Sequence, residues 1–366
     1  MGRQVNNAQG ARRYRMKEIE DADARMCSPR VALMVLTFNG LPYLKDCLAS
    51  IKGSTYPNLE VYVIDDGSLD DSSKFVASNY PWVKLIRLDK NVGFARAYDI
   101  AVKAVEADYI VLLNDDTRVE ANFVQELVER AESDRRAGSV GCKVVQLEHL
   151  RRYGPVFFTG NGLFIGPLFF GSTIMQDAVY SIYETATECL ANSAAAVLYR
   201  KQLIDSIGLF DPDFWADWED HDLGFRICLA GYHNLYTPKA TVVHKGAANY
   251  GAIDSRERVI RTTRNMLFTY VKNYEARNIV LRFLPLLFAI YPYRELIVIL
   301  ENEVGLLLGR DSDRRTKLRA TYMAYAVSCW QFIRELRHIM EKRQVVQLLR
   351  RTSDEDIIRR TSKPLI

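Results

Sequence analysis

The 366-residue sequence has few cysteines, and none of the six is spaced as half of a C-x-x-C pair. Cys27, Cys47, Cys142, Cys189, Cys228 and Cys329 are scattered, which argues against a zinc knuckle or a disulfide framework and suits a reducing compartment. No apolar run reaches the ~18 residues of a membrane-spanning helix, so no transmembrane segment is expected. Residues 1–30 are polar and charged, without the apolar core of a signal peptide, and read as an N-terminal extension. No G-x-x-x-x-G-K-[ST] occurs, and no G-x-G-x-x-G follows the first strand-like run, so the P-loop and the dinucleotide fingerprint are both missing. A phosphate-bearing ligand would therefore need something other than a glycine cradle. A divalent metal on carboxylates is the usual substitute.

What is present is an ordinary globular composition, 48% hydrophobic and 26% charged. The formal charge of +4 is unevenly spread. Residues 277–366 carry 17 Lys and Arg against 10 Asp and Glu, and the rest of the chain is slightly acidic. That asymmetry predicts an anionic surface as the partner of the tail.

The first half alternates between two periodicities. Val31 to Phe38 is a continuous apolar run, as in a strand covered on both faces. Leu41, Leu44, Leu48 and Ile51 then fall at helical spacing. Strands follow over Glu60–Asp66, Val83–Leu88 and Tyr109–Leu113, separated by helical stretches near Ser72–Ser78 and Phe94–Val105 and followed by one over Ala121–Ser133. This β-α order predicts an α/β fold with a mostly parallel, doubly wound sheet. Thr37-Phe38-Asn39, Asp65-Asp66 and Asn114-Asp115-Asp116 all fall at the carboxyl ends of predicted strands, the edge where open α/β sheets bind ligands.

Three clusters have residue types suited to chemistry. Asn114-Asp115-Asp116-Thr117 follows a buried strand and offers the oxygen ligands that Mg²⁺ or Mn²⁺ prefers; the same residues would also make a plain polar turn capping a helix. Phe214 to Asp222 holds five ionisable groups in positions 217–222, beside Trp215 and Trp218. Crowding and lost hydration there should raise carboxylate pKa values toward those of a general base, although acids also simply favour a helix N-terminus. His244 ends a short β-like run, Ala240–Val243, where an imidazole can complete an oxygen-rich metal shell.

Taken in order, these segments resemble the family 2 inverting glycosyltransferases of GT-A fold, in particular their rhamnosyltransferase-like branch. The resemblance rests on Leu36-Thr-Phe-Asn-Gly40, Val63-Ile-Asp-Asp-Gly-Ser68, Asn91-Val-Gly-Phe94 and Tyr109–Thr117. It continues through Ile207-Gly-Leu-Phe-Asp211, Glu219-Asp-His-Asp-Leu223, Ala230-Gly-Tyr232, Val243-His-Lys-Gly246 and Arg264-Asn265, and so spans about Val31 to Tyr274. It implies that Thr37, Phe38 and Asn39 line a nucleotide pocket and that Asp66, or its neighbour Asp65, meets the base. It implies Asp116 as the firmest ligand of a divalent cation (Mn or Mg), with Asp115 and His244 helping to hold metal or diphosphate. Asp220 would be the catalytic base and Glu219 would bind hydroxyls beside it.

Three residues depart from the family pattern. Asn114 stands in place of the first acid of a D-x-D. Arg96, where a small residue is usual, would contact the diphosphate or lie on the helix surface. Ala194 stands where a glycine is expected.

The expected organisation is an extension over 1–30, a GT-A domain over 31–276 and a basic amphipathic helical region over 277–366. The expected reaction is transfer of a sugar, rhamnose by the branch resemblance alone, from a nucleotide-diphosphate sugar to a hydroxyl of a glycan or lipid-linked acceptor. A catalytically silent carbohydrate-binding scaffold and a sugar nucleotidyltransferase are the alternatives. The latter normally opens with a Gly-rich basic loop, which Thr37–Gly40 is not. The stretch Tyr153–Thr173 is rich in glycine and aromatics and reads as an acceptor loop, a membrane-near flap or a self-burying loop. Residues 278–319 read as a peripheral membrane contact at the inner, cytoplasmic face of the cell membrane, or as a homodimer interface. No nucleic-acid recognition motif accompanies the tail's charge.

Overall fold

The computed structural model describes residues 28–146, 163–165, 171–173, 187–245, 255–283 and 313–361. Most of the Tyr153–Thr173 stretch and residues 284–312 of the expected membrane or dimer segment lie outside the described residues, as does the extension before Ser28.

The chain begins with β1 (Val31–Thr37), α1 (Leu41–Lys52), β2 (Leu59–Asp65), α2 (Ser72–Asn79), β3 (Lys84–Arg87), α3 (Phe94–Val102) and β4 (Tyr109–Asn114). Next come β5 (Thr117–Val119), α4 (Phe123–Glu132), β6 (Ala137–Gln146), β7 (Leu163–Ile165), β8 (Gly171–Thr173), β9 (Thr187–Cys189), β10 (Ala196–Arg200) and α5 (Lys201–Ile207). A 3-10 turn (Pro212–Phe214) leads to α6 (Glu219–Leu229) and β11 (His233–His244). Helix α7 (Ser255–Asn273) runs on into short helical segments over Ala276–Asn278 and Ile279–Phe283, and α8 (Asp313–Arg334), α9 (Leu336–Leu348) and α10 (Asp354–Thr361) complete the described elements.

The main sheet runs β3-β2-β1-β4-β10-β6-β11-β5, with β9 also on β11. Its first four strands are parallel, as the alternating pattern predicts, and β10 enters antiparallel to both β4 and β6. Side chains of a strand alternate between faces, and β1 divides accordingly. Val31, Leu33 and Val35 join the core under α1 and α4, while Ala32 and Met34 join the core under α3 and α6. All five are essentially inaccessible to solvent. Truncating one of the larger ones to alanine typically costs about 2–5 kcal/mol.

A third core is built differently. Leu190, Phe214 and Phe225 pack with Leu267, Phe268 and Tyr274 of the α7 region and with Ile339, Val346 and Ile357 of the last helices. The C-terminal helices thus share a core with the α6 side of the sheet. Among the described residues no helix is long and apolar enough to cross a membrane.

Two registers bring the polar strand ends together. Thr37 is level with Asp65 on β2, and Leu36 is level with Asn114 on β4. Because β10 is antiparallel to β4, its amino-terminal end lies at this same edge, and the Asn114 amide donates to the Ala195 carbonyl (2.9 Å).

Candidate active site

On the β1–β2 side the chain turns sharply after Thr37, with Asn39 in the left-handed region (φ 52°). The Asn39 side chain caps the neighbouring loop, its Oδ1 accepting from the Leu69 amide at 2.8 Å. Of the two adjacent acids at the end of β2, Asp65 is wholly buried and accepts from the Ser68 amide (2.8 Å) and the Ser73 hydroxyl. It ties β2 to α2 and does not border the cleft. Asp66 does, and its carboxylate accepts from the amides of Val92 (2.8 Å) and Gly93 (3.0 Å). Burial raises the Asp66 carboxyl above its usual range despite these two donors. Phe38 also lines the cleft, whereas Arg96 is exposed on α3 and does not reach it. Its neighbours Ala95 and Ala97 are the ones turned into the core, so Arg96 takes the surface position of the two that the sequence leaves open.

Past β4, Asn114, Asp115 and Asp116 all line the cleft. Thr37 donates to Asp115 Oδ2 at 2.7 Å, so one expected nucleotide contact orients an expected metal ligand. Gly40 is required here, because a Cβ at that position would come within 1.9 Å of Asp115 Oδ2. Burial pushes the Asp115 carboxyl up to about 7, against the hydrogen bond from Thr37 and with the Asp116 charge adding to the effect. The next three residues form β5, which pairs antiparallel with the end of β11 so that Thr117 faces His244. That pairing places His244 Nε2 at 2.9 Å from Asp116 Oδ1.

The opposite wall is the turn 214–218 and the start of α6. The helix begins at Glu219. Trp215, Asp217 and Trp218 all have positive φ (59°, 66° and 71°), conformations that cost on the order of 1–3 kcal/mol each in residues other than glycine. Asp220 Oδ2 accepts from the Ala194 amide (3.3 Å), and Oδ1 accepts from the His221 amide (2.8 Å) and faces His221 Nδ1 (2.6 Å). Ala194, the unexpected residue in the pattern, therefore meets the expected base through its backbone.

The two carboxyls at the start of α6 are driven apart. Glu219 is raised well above its usual range by burial and then by the negative charges of Asp220 and Asp217. Its Oε2 is buried without a hydrogen-bond partner among the described residues. Burial also acts to raise Asp220, but the His221 imidazole and the two amides outweigh it and hold Asp220 below its ordinary value. This corrects the expectation that crowding raises the base. Of the two carboxyls, Glu219 is the one raised and Asp220 the one lowered.

These walls enclose an open cleft of about 880 Å³. Asp66 and Gly93 border one side, Asp116 and His244 another, Glu219 and Asp220 the third, and Arg258 and Arg261 of α7 stand beside them. Sequence reading singled out Ala194 but missed its neighbours Ser193 and Ala195 in the cleft; this loop is held from beneath by a buried polar cluster. Asn192 donates to Ser139 Oγ (2.8 Å) and the Leu235 carbonyl (3.0 Å), and Asn234 donates to the carbonyls of Leu190 (2.6 Å) and Gly224 (2.9 Å). Isolated asparagines give no sequence signal of such pairing.

Residues 33–191 match the family model described as glycosyl transferase family 2. The chain carries a family 2 glycosyltransferase domain. It is 25% identical over 247 residues to the protein y4gI of Sinorhizobium fredii, a match covering 65% of this chain and 27% of that protein. It is 25% identical over 238 residues to the N-acetylglucosaminyl-diphospho-decaprenol L-rhamnosyltransferase of Mycobacterium tuberculosis, covering 60% and 77%. Among solved structures it resembles a mannosyltransferase from Pyrobaculum calidifontis in complex with GDP-Man and Mn²⁺, at TM-score 0.53 and 17% identity over 90% of this chain and 98% of that one. GalNAc-T7 with UDP, GalNAc and Mn²⁺ aligns at TM-score 0.53 and 16% identity, over 68% and 48%. At these identities the structural likeness speaks for the fold alone. That fold is GT-A, with C-terminal helices added.

Proposed function

We propose that this glycosyltransferase moves a sugar, with inversion, from a nucleotide-diphosphate sugar to a hydroxyl of a glycan or lipid-linked acceptor. The observation that carries the reading is the convergence of Asp66, Asp116, His244, Glu219 and Asp220 on one cleft, although they come from four separate stretches of chain. A catalytically silent scaffold gives no reason for an unpartnered buried Glu219 beside an ionised Asp220.

The donor atoms suit a divalent cation. Asp116 Oδ1 and His244 Nε2 lie 2.9 Å apart and present a hard oxygen beside a borderline nitrogen. Among the described residues there is no cluster of three or more metal-ligating side chains. Such ions commonly take one or two carboxylates and complete their shell with substrate phosphate oxygens. Asp115, with one oxygen accepting from Thr37, would help and Asp116 would lead. When bound, such an ion supplies positive charge against the leaving diphosphate.

The chain's own groups do the rest. Asp66 and Phe38 would hold the nucleoside, with Thr37 and Asn39 fixing the loop behind it. Asp220 takes the proton of the acceptor hydroxyl as that oxygen bonds to the anomeric carbon and the bond to the diphosphate breaks. Glu219, protonated, donates to a sugar or acceptor oxygen. The likeness to the mycobacterial rhamnosyltransferase favours a deoxyhexose donor and a lipid-linked acceptor. The basic tail then fits a peripheral contact at the cytoplasmic face of the membrane, and co-sedimentation of the full chain with anionic vesicles tests that contact.

The central test measures thermal shift and nucleoside diphosphate release with UDP-, GDP- and dTDP-sugars, with and without Mn²⁺. One nucleotide class should both stabilise the protein and be turned over, with Mn²⁺ strengthening each effect. No turnover and no shift with any of them sinks the reading.

A further inference from the structure

The cleft contains an unusual piece of backbone. Trp215, Asp217 and Trp218, none of them glycine, have left-handed φ within four residues. Such a stretch persists only when its surroundings hold it, and here the holding groups come from one helix. Asn265, fully buried on α7, donates through Nδ2 to the carbonyls of Phe214 (2.9 Å), Ala216 (3.0 Å) and Asp217 (2.8 Å). Arg264 donates to Asn265 Oδ1 (3.0 Å), which fixes which end of the amide faces the turn, and also to the Asp213 carbonyl (3.1 Å). Arg261 grips Asp217 Oδ2 from two nitrogens, at 3.1 and 2.7 Å.

What the turn touches gives this clamp its meaning. At its front, the Trp215 ring lies so close over Gly93 that a Cβ there would be 2.6 Å from the indole. The Trp215 carbonyl accepts from the Ala95 amide (3.0 Å), and the Gly93 amide in turn donates to Asp66. At its back, the Trp218 carbonyl accepts from the Asp222 amide (3.0 Å), which closes the first turn of α6 and sets where Glu219 and Asp220 project. One strained turn therefore braces the donor wall and the base together.

We propose that Asn265, seconded by Arg261, is a positioning residue that holds this turn in register between the donor pocket and the base. It touches neither substrate nor reacting atoms in this scheme and acts through residues 214–218. The inference rests on the glycosyltransferase reading for its kinetic consequence, but its structural consequence is independent of that reading.

Asn265→Leu, of nearly the same volume without the donor, tests it in the full chain. Mass-spectrometric hydrogen exchange should show the Ala95 amide exchanging at least tenfold faster, with amides of β4 unchanged and the circular dichroism native. With the nucleotide sugar that the unaltered protein turns over, kcat should fall about a hundredfold and the donor KM should rise severalfold. General destabilisation would instead lower only the active fraction and leave KM alone. Arg261→Gln, which removes one edge of the clamp, should move exchange and KM the same way by a smaller factor and covers the case in which Asn265→Leu does not fold. Unchanged exchange at Ala95 in the folded variant, or a lower kcat at constant KM, overturns the proposal. If the unaltered protein turns over no nucleotide sugar, it is the glycosyltransferase reading that has failed, and exchange at Ala95 alone still decides the clamp.

Discussion

His244 Nε2 lies 2.9 Å from Asp116 Oδ1, although 128 positions separate them, because β5 pairs with the last residues of β11. This pair is the narrowest point at which the metal proposal can be tested. Asp116→Asn keeps shape and removes charge, and His244→Ala removes the imidazole. Each should weaken Mn²⁺ binding in the presence of nucleoside diphosphate by at least about 10-fold, since even loss of a group behind a metal ligand typically costs about 10–100-fold. Titration of free Mn²⁺ by electron paramagnetic resonance reads this directly, and native affinity in Asp116→Asn would remove Asp116 from the ligand set.

Asp220→Asn tests the base. Loss of a positioned proton acceptor costs about 10²–10⁴-fold in rate, so turnover should fall by that much while nucleotide binding, measured by calorimetry, stays within twofold. The pH dependence follows from the two directions. Because Asp220 is held below the ordinary carboxylate range, its ionisation sets a limb of kcat/KM that falls only at strongly acid pH. Glu219 is raised, so its deprotonation, and with it loss of a donor, should add a second limb on the alkaline side. In Glu219→Gln that upper limb should vanish, and its persistence would assign the limb to another group.

How much of this was legible beforehand divides along physical lines. The strand ends that carry Thr37, the Asp65-Asp66 pair and Asp116 were legible because a parallel sheet aligns strand ends, and a strand end is marked by where an apolar run stops. The choice between Asp65 and Asp66 could not be made, since neighbouring residues at a strand end point to opposite sides and a shift of one position exchanges them. Arg96 needed the phase of α3, which apolar spacing gives only loosely. Trp215 and the clamp from Asn265 were hidden for another reason. Left-handed φ at a tryptophan has no sequence signature, and its restraint comes from residues about 50 positions downstream. Arg264-Asn265 could be matched as a pattern, but only the fold gives it work to do.

Lys272 lies almost wholly buried between Asp211 (2.6 Å) and Asp222 (2.9 Å), joining α7 to the turn before the 3-10 helix and to α6. Lys342 of α9 reaches the same Asp211. Lys272→Met leaves both carboxylates less compensated and should cost about 3–5 kcal/mol, read by urea denaturation at pH 7. Burial opposes ionisation of Asp211, Asp213 and Asp222, but the facing cations prevail and lower all three. A lowered carboxylate adds stability above its unfolded pKa, about 3.9, and that stability is lost as pH falls through the folded value. The native chain should therefore lose stability steeply below about pH 4, and Lys272→Met should show a shallower acid slope. Equal slopes would mean the network contributes nothing to acid stability.

Glu219 has the opposite sign and gives the sharpest contrast between stability and function. Its carboxyl is buried, raised, and has one oxygen without a partner among the described residues. A folded chain that holds this proton more tightly than the unfolded chain loses stability as pH rises from about 4.3 toward the folded value. Glu219→Gln cannot ionise, so it should be more stable than the native protein at pH 7–8 by roughly 1 kcal/mol, visible as a Tm higher by about 2–4 °C. The gain should shrink to nothing near pH 4, where the native carboxyl is protonated in both states. The same substitution should depress turnover, because a carboxyl kept at a cost in folding free energy is there for the substrate. A variant whose advantage over the native protein is no larger at pH 8 than at pH 4 would show that Glu219 is compensated in the folded chain, and with that its place as the strained acid of the cleft would be lost.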